Sequence, residues 1–392
     1  MRPGAVVTGA SYRALAVVRS LGRRGIRVRV VRSDEHALAG SSRYAQRPFG
    51  GPRAWGPRQV GQLLELAERE SMRGWVLIPT HDEEAAVIAR HRDELASRYR
   101  VTTPAWETLR AAYDKRFTYT LGARLGLHQP WTVFPDGEAA LEQAEGRFPV
   151  VIKPAYKADA NGLTIAKAWR ADDPDQLRRL YRNACALVDP EILMLQELVP
   201  GNGRSQLSYA ALCSQGDVVA GLAACRLRQY PMDFGRASSF VETIDDPSVE
   251  RDAGRLLAAM RFTGMVEVEF KRDPATGSNL LLDVNPRAWG WQSLGARAGV
   301  DFPFLLWRLA TGEKVPATRA VAGVRWVRAG TDVLAVAGEL AAGRMSLREY
   351  LRSLRRPLEF AVFARDDPLP SLVAPLLAGH LVAGRLIAGR RV

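Results

Sequence analysis

Residues 263–291 read TGMVEVEFKRDPATGSNLLLDVNPRAWGW, two strands joined by a tight connection. Met265 to Phe270 alternates apolar and acidic residues, and Leu280 to Asn285 ends in Asp-Val-Asn. A period of two puts Glu267 and Glu269 on one face of the first strand, and Asp283 and Asn285 on one face of the second. Pro274 and Gly277 suit a turn between antiparallel neighbours. One register then sets Glu269 opposite Asp283 and Glu267 opposite Asn285. Like charges facing each other across a ladder are destabilising unless a cation lies between them. Oxygen donors without His or Cys favour magnesium, which takes a few carboxylates and fills its shell with substrate phosphates. Arg287, in the Asn-Pro-Arg that follows, is placed to reach an anion held by that metal. Either strand alone would pass for a solvated amphipathic hairpin; the full set argues for a cation site.

Outward from the hairpin, the chain alternates helix and strand early and gathers strands later. Ala5 to Val7, the turn Gly9-Ala10-Ser11, an amphipathic helix closed by Gly22 to Gly25, and Ile26 to Val31 form a βαβ unit. It lacks the G-x-G-x-x-G fingerprint, which argues against a dinucleotide site. A helix over Gln59 to Glu70 precedes the strand Trp75 to Pro79, and Thr80 or Asp82 reads as the cap of the next helix. Thr103 to Gly126 reads as helical, and PVVIKP (Pro149 to Pro154) as a buried strand carrying one Lys. Leu163 to Lys167 reads as a strand, Pro174 to Val188 as a helix, and Leu193 to Val199 as a strand. Gln206 to Cys213 and Val218 to Arg228 are strands, followed by an irregular stretch, Gln229 to Ser239. Pro247 to Met260 is helical and leads into the hairpin. This pattern predicts an α/β domain followed by α+β lobes.

At 392 residues, 47% hydrophobic and 25% charged, the composition is that of a globular protein with room for two or three domains. The net charge of +13 raises nucleic acid as a partner. The arginines are spread throughout, however, without a basic–aromatic block, a recognition helix or a zinc spacing, so no nucleic-acid partner is expected. Only six residues are lysines, and Lys115, Lys153, Lys157 and Lys167 fall in one short region. Lysine ammonium groups are common phosphate binders. Cys185, Cys213 and Cys225 form no metal or redox spacing, and the start of the chain lacks a long apolar run. The expectation is a reducing, cytoplasmic setting. The apolar, Arg-dotted segment Leu369 to Val392 is a candidate for peripheral membrane contact or for packing on the body.

With Lys153, the Gln196-Glu197 strand and the Glu…Asp-Val-Asn-Pro-Arg hairpin together, the chain resembles the ATP-grasp superfamily. Its nearest flavour looks like carboxylate–amine ligases related to the carbamoyl-phosphate synthase large chain. The resemblance implies a Rossmann-like pre-ATP-grasp domain (1–112), a small ATP subdomain (113–195) and a C-terminal lobe (196–315). A basic, partly apolar helical tail (316–392) falls outside it. It also implies roles residue by residue. Lys115 and Lys153 would contact ATP phosphates, and the turn Lys157 to Gly162 would cover them, although it keeps a single glycine where the family often has several. Gln196, Glu197 and Leu198 would line the adenine slot, one of them through backbone groups, with Gln206 a weak ribose contact. Glu269, Asp283 and Asn285 would ligate two magnesium ions, with Glu267 the least certain carboxylate. Arg287 would stabilise the transferring phosphoryl group.

Arg226 and Arg228, just before the irregular stretch, suit a substrate carboxylate. Trp289 and Trp291 read as core or wall. Asp233 and Glu242 flank the irregular stretch without declaring a base. The implied reaction joins a small-molecule carboxylate to an amine through an acyl-phosphate, releasing ADP and phosphate. The alternatives are a phosphotransferase or carboxylase-like enzyme, and a non-catalytic nucleotide-binding protein recruited to membranes.

Overall fold

The computed structural model describes residues 2–32, 38–50, 55–156, 161–201, 203–232, 237–355 and 357–377. The first sheet joins β1 (Ala5–Thr8), β2 (Val28–Arg32), β3 (Ala45–Gly50), β4 (Trp75–Ile78) and β5 (Tyr99–Val101). It is wholly parallel, in the order β3-β2-β1-β4-β5. β1 and β4 are buried along their length, as central parallel strands covered on both faces must be. Ala5 and Val7 pack with Leu15 and Leu21 of the helix Tyr12–Gly22, while Val6 packs with Leu63 and Leu66 of the helix Pro57–Arg69. β3 and β5 escaped the sequence reading.

The second sheet is antiparallel, with β6 (Thr132–Val133), β7 (Val150–Pro154), β8 (Trp169–Ala171) and β9 (Leu193–Glu197) in the order β6-β9-β7-β8. The helix Pro174–Cys185 backs it through Leu177 and Tyr181. The strand expected over Leu163 to Lys167 is instead a short helix, Gly162–Ala166. Asn161 decides this, because its side-chain oxygen accepts from the Leu163 and Thr164 N–H groups while the Thr164 hydroxyl accepts from Asn161 N–H. That reciprocal cap outweighs a weak apolar alternation. The long helix expected over Thr103 to Gly126 is two helices, Trp106–Tyr113 and Lys115–Arg124, broken where Asp114 caps the second.

The third sheet has eight strands. β10 (Gln206–Ser214), β11 (Asp217–Tyr230), β12 (Ala237–Ile244), β13 (Gly264–Arg272) and β14 (Asn279–Asn285) are joined by β15 (Thr318–Arg319), β16 (Arg325–Val327) and β17 (Leu358–Phe360). The order is β14-β13-β10-β11-β12-β16-β17, with β15 beside β11. The helix Pro247–Ala259 covers one face with Val249, Ala253, Leu256 and Leu257. β13 begins at Gly264, whose φ is 113° and whose added Cβ would lie 2.6 Å from the Thr102 carbonyl oxygen. Only glycine fits there, which seats the hairpin against the end of β5.

The tail, which falls outside the resemblance, is packed on the body and extends this sheet. β16 supplies partners to an edge of β12 that would otherwise be unpaired, and β17 continues from it. Further on, buried Asp367 accepts from Arg19 Nε at 2.9 Å, Ser42 Oγ at 2.7 Å and Arg43 N–H at 2.9 Å, fastening the tail to the first domain. Residues 369–377 are helical, with Leu369, Leu372 and Leu376 exposed; the rest of the expected interfacial helix lies outside the described residues. No helix among the described residues is long and apolar enough to cross a membrane. One core runs from Leu15 of the first domain through Trp289, Trp307 and Phe302 to Trp326 of the tail, so the elements flanking the hairpin are packed as a unit.

Candidate active site

The hairpin has the expected register, Glu267 opposite Asn285 and Glu269 opposite Asp283, with a bulge directly after Glu269. Glu269 and Asp283 open onto a cleft of about 1440 Å³ between the second and third sheets. Glu267 sits behind it, buried, accepting from Trp291 Nε1 at 2.9 Å and from Asn285 Nδ2 at 3.2 Å. Burial first, and Glu269 second, push its carboxyl up to about 7. Burial works in the same direction on Glu269. There Arg226 and Lys167 overcome it, and with the Asn285 hydrogen bond they hold that carboxyl at about 2. The pair therefore carries one firmly ionised member, and it is the one facing the cleft.

A cation answers Asp283, Glu269 and Asp82 in turn. Lys115 Nζ lies 2.8 Å from Asp283 Oδ1, reaching it from the helix Lys115–Arg124, which packs on the third sheet. Arg226 Nη2 lies 3.1 Å from Glu269 Oε2, which Gln206 also approaches at 3.3 Å. Arg287 is buried and bridges Asp82 Oδ1 at 2.9 Å to Asn285 Oδ1 at 2.8 Å. Asp82 was a candidate helix cap; the structure gives the cap to His81 and turns Asp82 to Arg287.

Across the cleft, β7 presents Lys153, whose Nζ donates to Gln196 Oε1 at 2.7 Å. Gln196 Nε2 donates in turn to Tyr119 Oη and Thr132 Oγ1, which fixes the amide so that its oxygen meets the lysine. Burial first, and Lys115 second, push Lys153 down to about 8 against the pull of Asp283 and Glu269. Glu197 and Leu198 line the same wall. Their N–H groups already donate to the Trp131 and Pro149 carbonyls, so any backbone donor to a bound base comes from elsewhere on that wall.

A family model described as "ATP-grasp in the biosynthetic pathway with Ter operon" matches residues 190–330. The chain is 22% identical over 324 residues to the carbamoyl phosphate synthase large chain of Xylella fastidiosa, covering 77% of this chain and 28% of that one. It thus spans about a quarter of that relative's length. Among solved structures it is similar to the biotin carboxylase domain of 2-oxoglutarate carboxylase from Hydrogenobacter thermophilus. The TM-score is 0.65 at 15% identity, over 83% of this chain and 74% of that one. The L-amino acid ligase from Bacillus licheniformis gives a TM-score of 0.60 at 15% identity, over 79% of this chain and 74% of that one. The chain has the fold of the ATP-grasp superfamily.

Within this ATP-grasp fold, Lys115, Lys153, Gln196, Glu197, Leu198, Arg226, Glu269, Asp283, Asn285 and Arg287 all line one cleft. Lys157 lies outside the described residues, as does Asp233. Gly162 is exposed and off the cleft wall. Arg228 is a correction: it leaves the cleft and grips buried Asp332 through two 2.8 Å hydrogen bonds. Glu242, which declares no base in the sequence, pairs with Arg325 at 2.8 Å. Trp289 is fully buried against Phe302, as a core residue.

The structure also brings in residues without an individual role in the sequence reading, where Lys167 counts only as one of four clustered lysines. Lys167 lines the cleft from a backbone at φ 69°, ψ −37°, an unusual conformation for a non-glycine residue. Its signal was the scarcity of lysine, since Lys115, Lys153, Lys167 and Lys271 all line this one cleft. Arg13, from the first domain, and Glu339 with Arg344, from the tail, had no signal beyond arginine's general abundance.

Proposed function

We propose that the chain is an ATP-dependent carboxylate–amine ligase working through an acyl-phosphate. The observation that carries this is the convergence of Lys115, Lys153 and Arg287 on the same cleft as Glu269 and Asp283. Magnesium and nucleotide fit the donor set. Among the described residues no three His, Cys, Asp or Glu side chains gather closely enough to hold a metal unaided. Two carboxylates and a carboxamide beside phosphate-binding lysines, however, are the partial shell that magnesium completes with phosphate oxygens. Glu269 and Asp283 would hold it; Asn285 would join them by giving up Arg287, since its oxygen accepts from Arg287 at 2.8 Å and its nitrogen faces Glu269 at 2.8 Å. Bound there, the metal would neutralise charge developing on the phosphoryl group.

The chain's own groups supply the rest. Lys115 and Asp283, now paired at 2.8 Å, would each keep a partner of opposite sign with ligands bound, Lys115 a phosphate and Asp283 the metal. Lys153 places a second ammonium on the phosphates, oriented by Gln196. Arg287, held by Asp82, keeps its guanidinium at the hairpin end where a carboxylate meets the phosphoryl group. Positioning and cationic charge are what phosphoryl transfer chiefly asks of a protein. The carboxylate then becomes an acyl-phosphate with a good leaving group, and amine attack on the acyl carbon yields the amide and phosphate.

The test is an ADP-release screen crossing amino acids and small carboxylates with amines, products read by mass. Release that requires both partners and yields their condensed mass supports the ligase. Full turnover without amine would assign the chain to phosphotransfer or carboxylase-like chemistry instead.

A further inference from the structure

Ten cationic side chains and six carboxylates line the cleft among the described residues. A triphosphate accompanied by two magnesium ions is close to neutral and leaves that excess in place. The excess has a location. Arg226 is 8% exposed; Nη2 engages Glu269, Nη1 reaches Gln229 at 3.4 Å, and Nε is buried with no partner. Arg13 lines the same cleft from the start of the helix Tyr12–Gly22, and its Nε is also buried without a partner. Buried side-chain donors are nearly always satisfied. Each of these two orphaned guanidinium donors on the cleft calls for an acceptor. Lys167 stands within electrostatic reach of Arg226 and Arg13 alike, so a third cation faces the same region. Arg228 is committed to Asp332, and of the other cleft guanidinium groups Arg13 is the one that shares with Arg226 a buried Nε without a partner.

We propose that Arg226 and Arg13 form a second anion subsite, which holds a carboxylate or phosphate group of the substrate remote from the bond being made. This rests on the ligase reading and deepens it: one substrate carries an oxyanion in addition to the carboxylate that is activated. A guanidinium fork matches the paired oxygens of either group. The first domain thereby acts in recognition, because Arg13 brings a guanidinium from the helix Tyr12–Gly22 to the cleft that Arg226 lines from β11.

The test uses the full chain saturated with magnesium and a non-hydrolysable ATP analogue, so that the γ-phosphate position is filled. Crystals soaked in selenate are expected to show anomalous density within hydrogen-bonding distance of Arg226 Nε and Arg13 Nε. No selenate there, with the analogue in place, overturns the subsite. In solution, glutarate and O-phospho-L-serine serve as carboxylate and phosphate probes, and the tighter one identifies the oxyanion class. Arg226→Met and Arg13→Met are each expected to weaken that probe by about tenfold or more; wild-type probe affinity in both variants overturns the proposal. Should the ATP analogue fail to bind while selenate occupies the pair, the ligase reading falls and the subsite stands.

Discussion

Arg228 and Asp332 meet in a two-pronged buried ion pair, both hydrogen bonds 2.8 Å long, that joins β11 to the tail helix Ala329–Ala341. Ser239 donates to the same carboxylate at 2.9 Å, and the Arg228 guanidinium lies 3.9 Å from the centre of the Phe240 ring. Removing one partner leaves the other charged and buried, which typically costs about 3–5 kcal/mol. Asp332→Ala is expected to destabilise the protein by that amount in urea unfolding, and the apolar pair Arg228→Met with Asp332→Leu to recover most of it. Equal losses for the single and double variants would show that the pair is not the anchor.

The same pair explains where the sequence could be read and where it could not. Arg226 and Arg228 are two apart, so a regular strand would aim both at one face. The pairing of β11 with β12 slips between them and again after Arg228, and the alternation fails at that point. The hairpin escapes this problem because its bulge falls after Glu269, leaving Glu267, Glu269, Asp283 and Asn285 in unbroken register. The tail's share of the third sheet was hidden for another reason. β15 has two residues and β16 and β17 have three each, too few for a periodic pattern to declare itself. Arg13 and Arg344 were invisible because the cleft they line is assembled from distant parts of the chain and arginine is common throughout.

Glu269 and Asp283 carry the metal reading, and their neutral isosteres test it. Glu269→Gln and Asp283→Asn should each lower ADP release by about 100-fold or more, since the metal supplies several kcal/mol of charge stabilisation. The Asp283 change also strands Lys115, so nucleotide binding should be measured beside turnover. ATP turnover left intact in either variant would overturn the site assignment.

In the proposed site Gln196 would act as a positioning residue for Lys153, whose Nζ donates to its Oε1 at 2.7 Å. Gln196→Leu keeps the volume but removes the acceptor for Lys153 Nζ and the donor to Tyr119. Loss of one such charged hydrogen bond is worth about 1–2 kcal/mol, or roughly a tenfold fall in nucleotide affinity. Gln196→Glu restores an acceptor for the lysine and should recover part of that affinity. A merely structural role would lower the melting temperature without separating the two variants in nucleotide binding.

If Lys153 holds the phosphates as proposed, nucleotide binding should depend on pH, and the sign follows from the direction of the shift. Burial and Lys115 bring the ammonium from its ordinary 10.5 down to about 8. Between those values the unfolded chain holds a proton that the folded chain has released, so Lys153 adds stability as pH rises from about 8 towards 10.5. Its cost to folding is fully present below that window. Phosphate binding acts in the opposite sense, because an anion beside Nζ favours the charged form. Above about pH 8, binding must therefore take up a proton, and affinity should fall as pH rises through the lysine's range. Calorimetry of Mg–ADP binding in two buffers of different ionisation heat at pH 8.5 is expected to reveal that uptake. Lys153→Met should abolish the uptake and flatten the profile while lowering affinity at every pH. An affinity that stays level from pH 7 to 9.5 in the wild type would mean that the phosphates do not rest on Lys153.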